Sequence, residues 1–288
     1  SSKTSRESLI KQFRGITNAT QNDASRILKQ HGYRLEASVD AFYNDEIALT
    51  NASKGSNGSD KKAEKESREK LGALFDKYKG ELITQDEDGD DITIDGAMEL
   101  CEDLDIYPED VVMLPLSFYL RSPSLGTFQR TPYIEGWRAI ADTEKVDTLA
   151  AQKKLLPKLR DELKKDAPVR GLRATEGKSG LFHRVYEFTY TFARQEGQKS
   201  LALESAIAFW DVIMPFSPTY GDGADQFTPK QLQLWKQFLT EKGNGRAVSK
   251  DTWMLFLDFT KEIDANFKSH DFDAAWPSQI DEFVGWAK

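Results

Sequence analysis

The sequence predicts an all-α fold, and three observations carry that prediction. Apolar residues recur at i, i+3, i+4 through most of the chain, as in Ala97, Leu100, Cys101 and Leu104. No stretch sustains the alternation of a strand. Helix punctuation falls at the ends of the apolar stripes: Gly32 where a C-terminus favours a left-handed residue, Ser249 as an N-cap, and Pro277 at the first turn of the closing helix.

The N-terminal part reads as three short helices. The first carries Leu9, Ile10 and Phe13 and stops near Gly15. The second follows "TNATQND" and places Ala24, Ile27 and Leu28 on one face. The third carries Leu35, Val39, Phe42 and Tyr43. Residues 1–48 therefore form a three-helix domain. The stretch 51–67, "NASKGSNGSDKKAEKES", has no apolar residue larger than Ala, so residues 49–67 are expected to be a flexible linker. Residues 68–288 then form the second domain.

That domain opens with "SREKLGALFDKYKG", striped by Leu71, Leu74, Phe75 and Tyr78, and with "IDGAMELCEDLDI". A helix starting at Pro108 and strained at Pro115 follows, then "TPYIEGWRAI". These segments make two helix–loop–helix units in tandem, the order of a paired EF-hand. A helical C-terminal half comes after them, with Trp210, Trp235, Trp253 and Phe256 as core and Ile280, Phe283 and Val284 as the stripe of the last helix.

The first of the two loops contains "DEDGDDITIDG", with six acidic side chains between Asp86 and Gly96. A calcium loop needs oxygen ligands at positions 1, 3, 5, 7 and 9, Gly at 6 and a bidentate Glu at 12. With Gly89 at position 6, Thr84 stands at position 1. Starting at Asp86 puts Asp91 where Gly belongs and Ala97 where Glu belongs. Placing Ile94 at position 8 puts Gly89 and Met98 at ligand positions. No register completes the cage, and the second loop, "RSPSLGTFQRTP", has no carboxylate. A calcium-responsive adaptor is the alternative reading; a solvated acidic loop that binds no metal is the one the registers favour.

Composition excludes several classes. The chain has 288 residues, 39% hydrophobic and 30% charged, which suits a soluble globular protein. The net charge of −8 argues against nucleic acid and anionic membranes as partners. One cysteine permits no intrachain disulfide and no cysteine-based zinc site, which fits a reducing, intracellular compartment. There is no apolar run of membrane-spanning length and no apolar signal core. A chain that opens on Ser rather than Met is expected to be processed or trimmed. Cys101 lies on an apolar stripe, and His31, His183 and His270 have no ligand or triad spacing, so no catalytic residue, metal site or cofactor is expected. In the closing segments, Asp281 and Glu282 fall off the apolar stripe, and Asp251 stands in the first turn after Ser249, where the helix dipole favours an anion.

The segments "ITIDGAMELCEDL", "FTYTFARQEGQKSLALE", "SAIAFWDVIM", "SKDTWMLFLDFT" and "AWPSQIDEFVGW" together resemble the defective-in-cullin-neddylation family. "LIKQFRGITNATQNDASRILKQHGYRLEASVDAFYND" resembles that family's ubiquitin-associated-like domain, and the stretches around Ala167–Gly180 and Ser217–Asp225 suggest a fungal-type member. The resemblance implies a potentiating-neddylation domain with calcium-free EF-hand-like units. It also implies a scaffold-type ligase without covalent chemistry of its own, in the nucleus or cytoplasm, that holds the neddylation conjugating enzyme beside a cullin. By matched position, Asp251, Ala275 and Asp281 would meet the cullin's C-terminal winged-helix domain. Ala97, Met113, Leu116, Gly126, Phe192 and Val212 would line a pocket for the conjugating enzyme's acetylated N-terminus, although Ala97 and Gly126 are small for such a lining. Phe13, Gly15 and Ile16, together with the end of the third helix, would offer exposed apolar surface to ubiquitin.

Overall fold

Helices follow the apolar stripes. The computed structural model describes residues 2–53, 58–79, 90–141, 145–171, 180–223 and 225–288. Among them are fourteen α-helices and one two-stranded ladder. The chain divides into two compact units, and the boundary falls within two of the helices.

Unit 1 comprises Ser1–Ile106, Tyr119–Leu155 and Val169–Glu176. Its first helices are α1 (Ser2–Thr17), α2 (Gln21–Gln30), α3 (Leu35–Tyr43) and α4 (Glu46–Ser53). Thr20 caps α2 by accepting from the Asp23 N–H at 3.1 Å, and Gly32 turns the chain at φ +63°. Phe13, Ile27, Leu28 and Phe42 make the core, with Phe13 and Phe42 edge to face at 5.8 Å.

Two expectations change here. The residues expected to be linker carry α4 and the start of α5 (Gly58–Tyr78), and only residues 54–57 of that stretch lie outside the described residues. Ala48 and Leu49 of α4 join the core of the N-terminal helices, and Lys62–Glu66 and Lys65–Glu69 pair along α5. The second change is at Pro108, which lies in a turn. The helix α7 (Met113–Tyr119) starts later and holds Pro115 in its first turn, where the missing N–H has no intrahelical partner to lose.

The rest of unit 1 is built on α5, α6 (Ile94–Asp103) and α8 (Arg130–Ile140). The strands β1 (Asp91–Ile92) and β2 (Phe128–Gln129) pair antiparallel, Ile92 opposite Phe128, and tie the segment before α6 to the segment before α8. Phe75, Phe128, Tyr133 and Trp137 form a chain of edge-to-face rings beneath them.

Unit 2 comprises Tyr107–Phe118, Leu156–Pro168 and Gly177–Lys288. It contains most of α7, the later part of α9 (Leu149–Lys164), and α10 (Leu181–Ala193), α11 (Leu203–Ile213), α12 (Pro229–Glu241), α13 (Lys250–Glu262) and α14 (Ser278–Ala287). Its core is a stack of rings. Trp253 lies 4.7 Å from Tyr186 and 4.9 Å from Trp210, and Phe256 lies 4.7 Å from Trp235. Three rings of this stack are linked by hydrogen bonds: Trp210 Nε1 donates to Tyr186 Oη at 2.9 Å, Tyr186 Oη donates to the Trp253 carbonyl at 2.8 Å, and Trp253 Nε1 donates to the Tyr186 carbonyl at 2.9 Å, while Trp235 Nε1 is buried with no partner among the described residues.

Candidate docking surfaces

Within unit 2, the three acidic-patch residues come from α13, the loop after it, and α14. Ser249 Oγ accepts from the Thr252 N–H at 3.0 Å and so fixes the start of α13. Asp251 sits in that first turn, exposed, and among the described residues it has no ion-pair partner. The loop is folded by Asp264, whose side chain accepts from the backbone N–H groups of Asn266 and Ser269. These bonds, that of Ser269 first, hold its carboxyl below the ordinary range. Gln231 Nε2 donates to the Asp264 carbonyl at 3.1 Å and ties the loop to α12.

Ala275 lies exposed near the end of that loop, next to Trp276, which packs edge to face on Phe259 of α13 at 6.0 Å. Asp281 stands in the first turn of α14, and its side chain is 30% exposed. Its Oδ1 lies 2.7 Å from His270 Nε2. Phe283, two residues on, is buried against Trp235 and Phe259, while Glu282 faces out and pairs with Arg246 at 3.3 Å. Asp251 and Asp281 are not joined by a hydrogen bond. The core fixes the two helices that carry them. His270 is the residue that sequence reasoning missed: it precedes Asp281 by a stretch of loop with no periodicity to link the two.

The six residues of the expected apolar pocket belong to both units. In unit 1, Ala97 is buried on α6. Gly126 has φ +71°, and a Cβ there would come within 2.7 Å of Ile94 Cγ1. Gly is therefore required at position 126 by the backbone. In unit 2, Leu116 is fully buried, Phe192 is buried against Phe188 at 5.1 Å, and Met113 and Val212 are half-buried. Beside Ala97 and Gly126, unit 1 exposes Ile94, Met98 and Leu125, large apolar side chains that the sequence reading did not single out. A cavity of about 190 Å³ in unit 1 is lined by other residues, among them Ala63, Leu71, Trp137 and Val146.

The expected ubiquitin surface is corrected at one position. Phe13 is fully buried in the three-helix core and offers nothing to a partner. Gly15 is exposed and Ile16 half-buried. At the end of α3, Tyr43 lies under the Arg121 guanidinium at 4.6 Å, and Asp40 pairs with Arg121 Nε at 3.1 Å.

Of the acidic loop, residues 80–89 lie outside the described residues. Asp90 receives Arg130 Nη2 at 2.9 Å and Lys79 Nζ at 3.0 Å on Oδ1, and Arg130 Nε on Oδ2. Arg130, foremost, holds the Asp90 carboxyl well below the usual carboxylate range. Burial, then the Asp90 charge, pushes the neighbouring Asp91 carboxyl up. Cys101 is buried on α6. Among the described residues, no group of three His, Cys, Asp or Glu side chains could hold a metal ion, and no helix is long and apolar enough to cross a membrane.

Comparison with known proteins gives two family matches. The family described as Cullin binding matches residues 151–286, which include α13, the loop and all but the last residue of α14. The family described as UBA-like domain matches residues 7–47. "Defective in cullin neddylation protein 1" of Mycosarcoma maydis is 52% identical over 100% of this chain and 96% of its own length. The protein of the same name in Cryptococcus neoformans var. neoformans is 34% identical over 97% of this chain and 93% of its own. "DCN1-like protein 3" of Homo sapiens is 32% identical over 78% of this chain and 64% of its own.

Proposed function

The chain belongs to the defective-in-cullin-neddylation family, and from that premise we propose that it is a scaffold-type co-ligase that holds a cullin beside the neddylation conjugating enzyme. The observation that carries the reading is the cullin-binding match over residues 151–286, within which Asp251 and Ala275 are exposed and Asp281 is fixed and partly exposed. Two carboxylates with a small residue between them suit Lys or Arg side chains on the cullin's winged-helix domain, which the small Ala275 lets approach closely.

The conjugating enzyme's acetylated N-terminus is the second proposed ligand. The apolar side chains exposed on unit 1, Ile94, Met98 and Leu125, support it, because a methionine side chain gains by leaving water against such groups. Ala97, Met113, Leu116, Gly126, Phe192 and Val212 are its proposed lining by resemblance. In the N-terminal domain, Gly15 and Ile16 remain as the proposed ubiquitin contact.

The chemistry belongs to the partners: the thioester cysteine is the conjugating enzyme's, and the acceptor lysine is the cullin's. Holding both makes a bimolecular transfer nearly unimolecular, which is where this chain's residues contribute. That role places the protein inside the cell. The test is a reconstituted neddylation reaction with and without the full chain. Faster modification of the cullin is expected, reduced by Asp251→Ala and Asp281→Ala. An unchanged rate on adding the folded chain refutes the reading. A calcium titration by calorimetry tests the adaptor alternative, which needs binding tighter than about millimolar.

A further inference from the structure

One short polar contact of the acidic surface is internal. His270 Nε2 lies 2.7 Å from Asp281 Oδ1, and the His270 side chain is 1% exposed while that of Asp281 is 30% exposed. An ionised carboxylate only accepts, so Nε2 carries the proton of this bond. The imidazole is packed by three rings. Phe272 stands edge to face at 4.7 Å, Phe259 edge to face at 5.8 Å, and Trp276 tilted at 5.9 Å. The ring thus fills a cage made by α13 and the loop and presents one N–H to the first turn of α14.

We infer that His270 is a positioning residue for cullin docking: it fixes the Asp281 carboxylate, so that one oxygen is spent inside the fold and the other is left for a basic group on the partner. The inference rests on the proposed reading of Asp281 as a cullin contact. Two consequences follow from the geometry. Asp281 loses its rotamer freedom before the partner arrives, so less ordering remains to be done on binding. The same bond ties the loop that carries Ala275 to the helix that carries Asp281, so two of the three docking residues are held in one register. A free carboxylate at the same position would supply the charge without the direction.

The experiment uses the full chain and the C-terminal domain of a cullin. His270→Phe keeps an aromatic ring in the cage and removes the donor. His270→Gln keeps an N–H of similar reach. Dissociation constants are measured by calorimetry for both, in the parent and in the Asp281→Ala background, with thermal unfolding followed alongside. His270→Phe is expected to weaken binding by about three- to tenfold, the ordinary net worth of one hydrogen bond, because the lost bond orients the docking carboxylate and does not itself touch the partner. His270→Gln is expected to restore most of it, and His270→Phe is expected to add nothing once Asp281 is Ala. Should His270→Phe fail to fold, His270→Asn, too short to reach Asp281, takes its place against His270→Gln. Equal weakening by the donor-less variant with and without Asp281 overturns the inference, because the histidine then acts on the fold at large. An unchanged affinity in that variant, where Asp281→Ala alone weakens binding, also overturns it and leaves the docking surface standing. An Asp281→Ala chain that binds cullin like the parent overturns the docking surface itself, and the inference with it.

Discussion

Arg121 ties α3 to the rest of unit 1, and its removal has a calculable cost. The guanidinium lies 4.6 Å over the Tyr43 ring, and its Nε pairs with Asp40 at 3.1 Å. The Asp40 side chain is 65% exposed, so the ion pair contributes about 0–1 kcal/mol. The Arg121 side chain is only 20% exposed, which places the cation–π contact in the upper part of the range of about 0.5–2 kcal/mol. Arg121 Nη1 is buried without a partner among the described residues, so part of this gain is already offset. Arg121→Ala should therefore cost about 1–2 kcal/mol in urea unfolding. Arg121 also has φ +49°, a left-handed conformation that a Cβ disfavours. Arg121→Gly loses the same contacts and relieves that strain, so it should unfold at higher urea than Arg121→Ala, by about 1 kcal/mol. A double-mutant cycle with Tyr43→Leu isolates the pair. No coupling between Arg121 and Tyr43, or an alanine variant as stable as the glycine one, would refute the reasoning.

Other outcomes can be checked alongside. Removing residues 1–67 takes away the first turns of α5, including Glu64, which pairs with Arg138 at 3.4 Å, and the cavity-lining Ala63 and Ser67. That truncation should lower the unfolding midpoint below that of a chain lacking only residues 1–57, as calorimetry would show. Cys101→Ala should cost about 1 kcal/mol of stability and leave cullin modification stimulated, because the thiol is packed on α6; a folded variant without stimulation contradicts a non-covalent role. The folded Asp90 carboxyl titrates below its unfolded value, so its stabilisation is fully present above the ordinary carboxylate range and is lost as pH falls through the lower, folded value. Arg130→Gln should move the Asp90 titration, followed by NMR, up toward the ordinary range.

Much of the helical layout is legible in the sequence, and its failures have physical causes. The stripes at Ala97–Leu104 and Ile280–Val284 become α6 and α14 because each must bury one face. The stretch 51–67 misleads because a lack of apolar side chains is not a lack of helix. "DKKAEKES" is rich in residues that lose little entropy in a helix, and it continues into the buried Leu71 and Phe75. Phe13 misleads in the opposite way: a small domain spends its large aromatic side chains on its own core before it can spend them on a partner. Asp281 is legible as a residue facing away from an apolar stripe, and Asp251 as an acid in the first turn after an N-cap. His270 is not, since its role comes from a cage closed by α13 and a loop that the sequence brings together only in three dimensions.

The same contrast separates acidic residues that can serve a partner from those that cannot. Asp90 stands among six clustered acidic side chains, the most conspicuous feature of the sequence, yet Arg130 and Lys79 already satisfy its oxygens. A cation from outside would have to displace two that are tethered in place. Asp251 and Asp281 attract less notice, and each stands in the first turn of a helix, where the unpaired N–H groups and the helix dipole offset part of a negative charge without occupying the carboxylate. Asp251 can stay exposed without a cation of its own, and Asp281 needs only the donor His270 to fix its direction. The buried Trp253, two residues from Asp251, and the buried Phe283, two residues from Asp281, lock both helix starts into the aromatic core. Rigid backbone, tolerated charge and an oxygen left open are together what a basic partner requires.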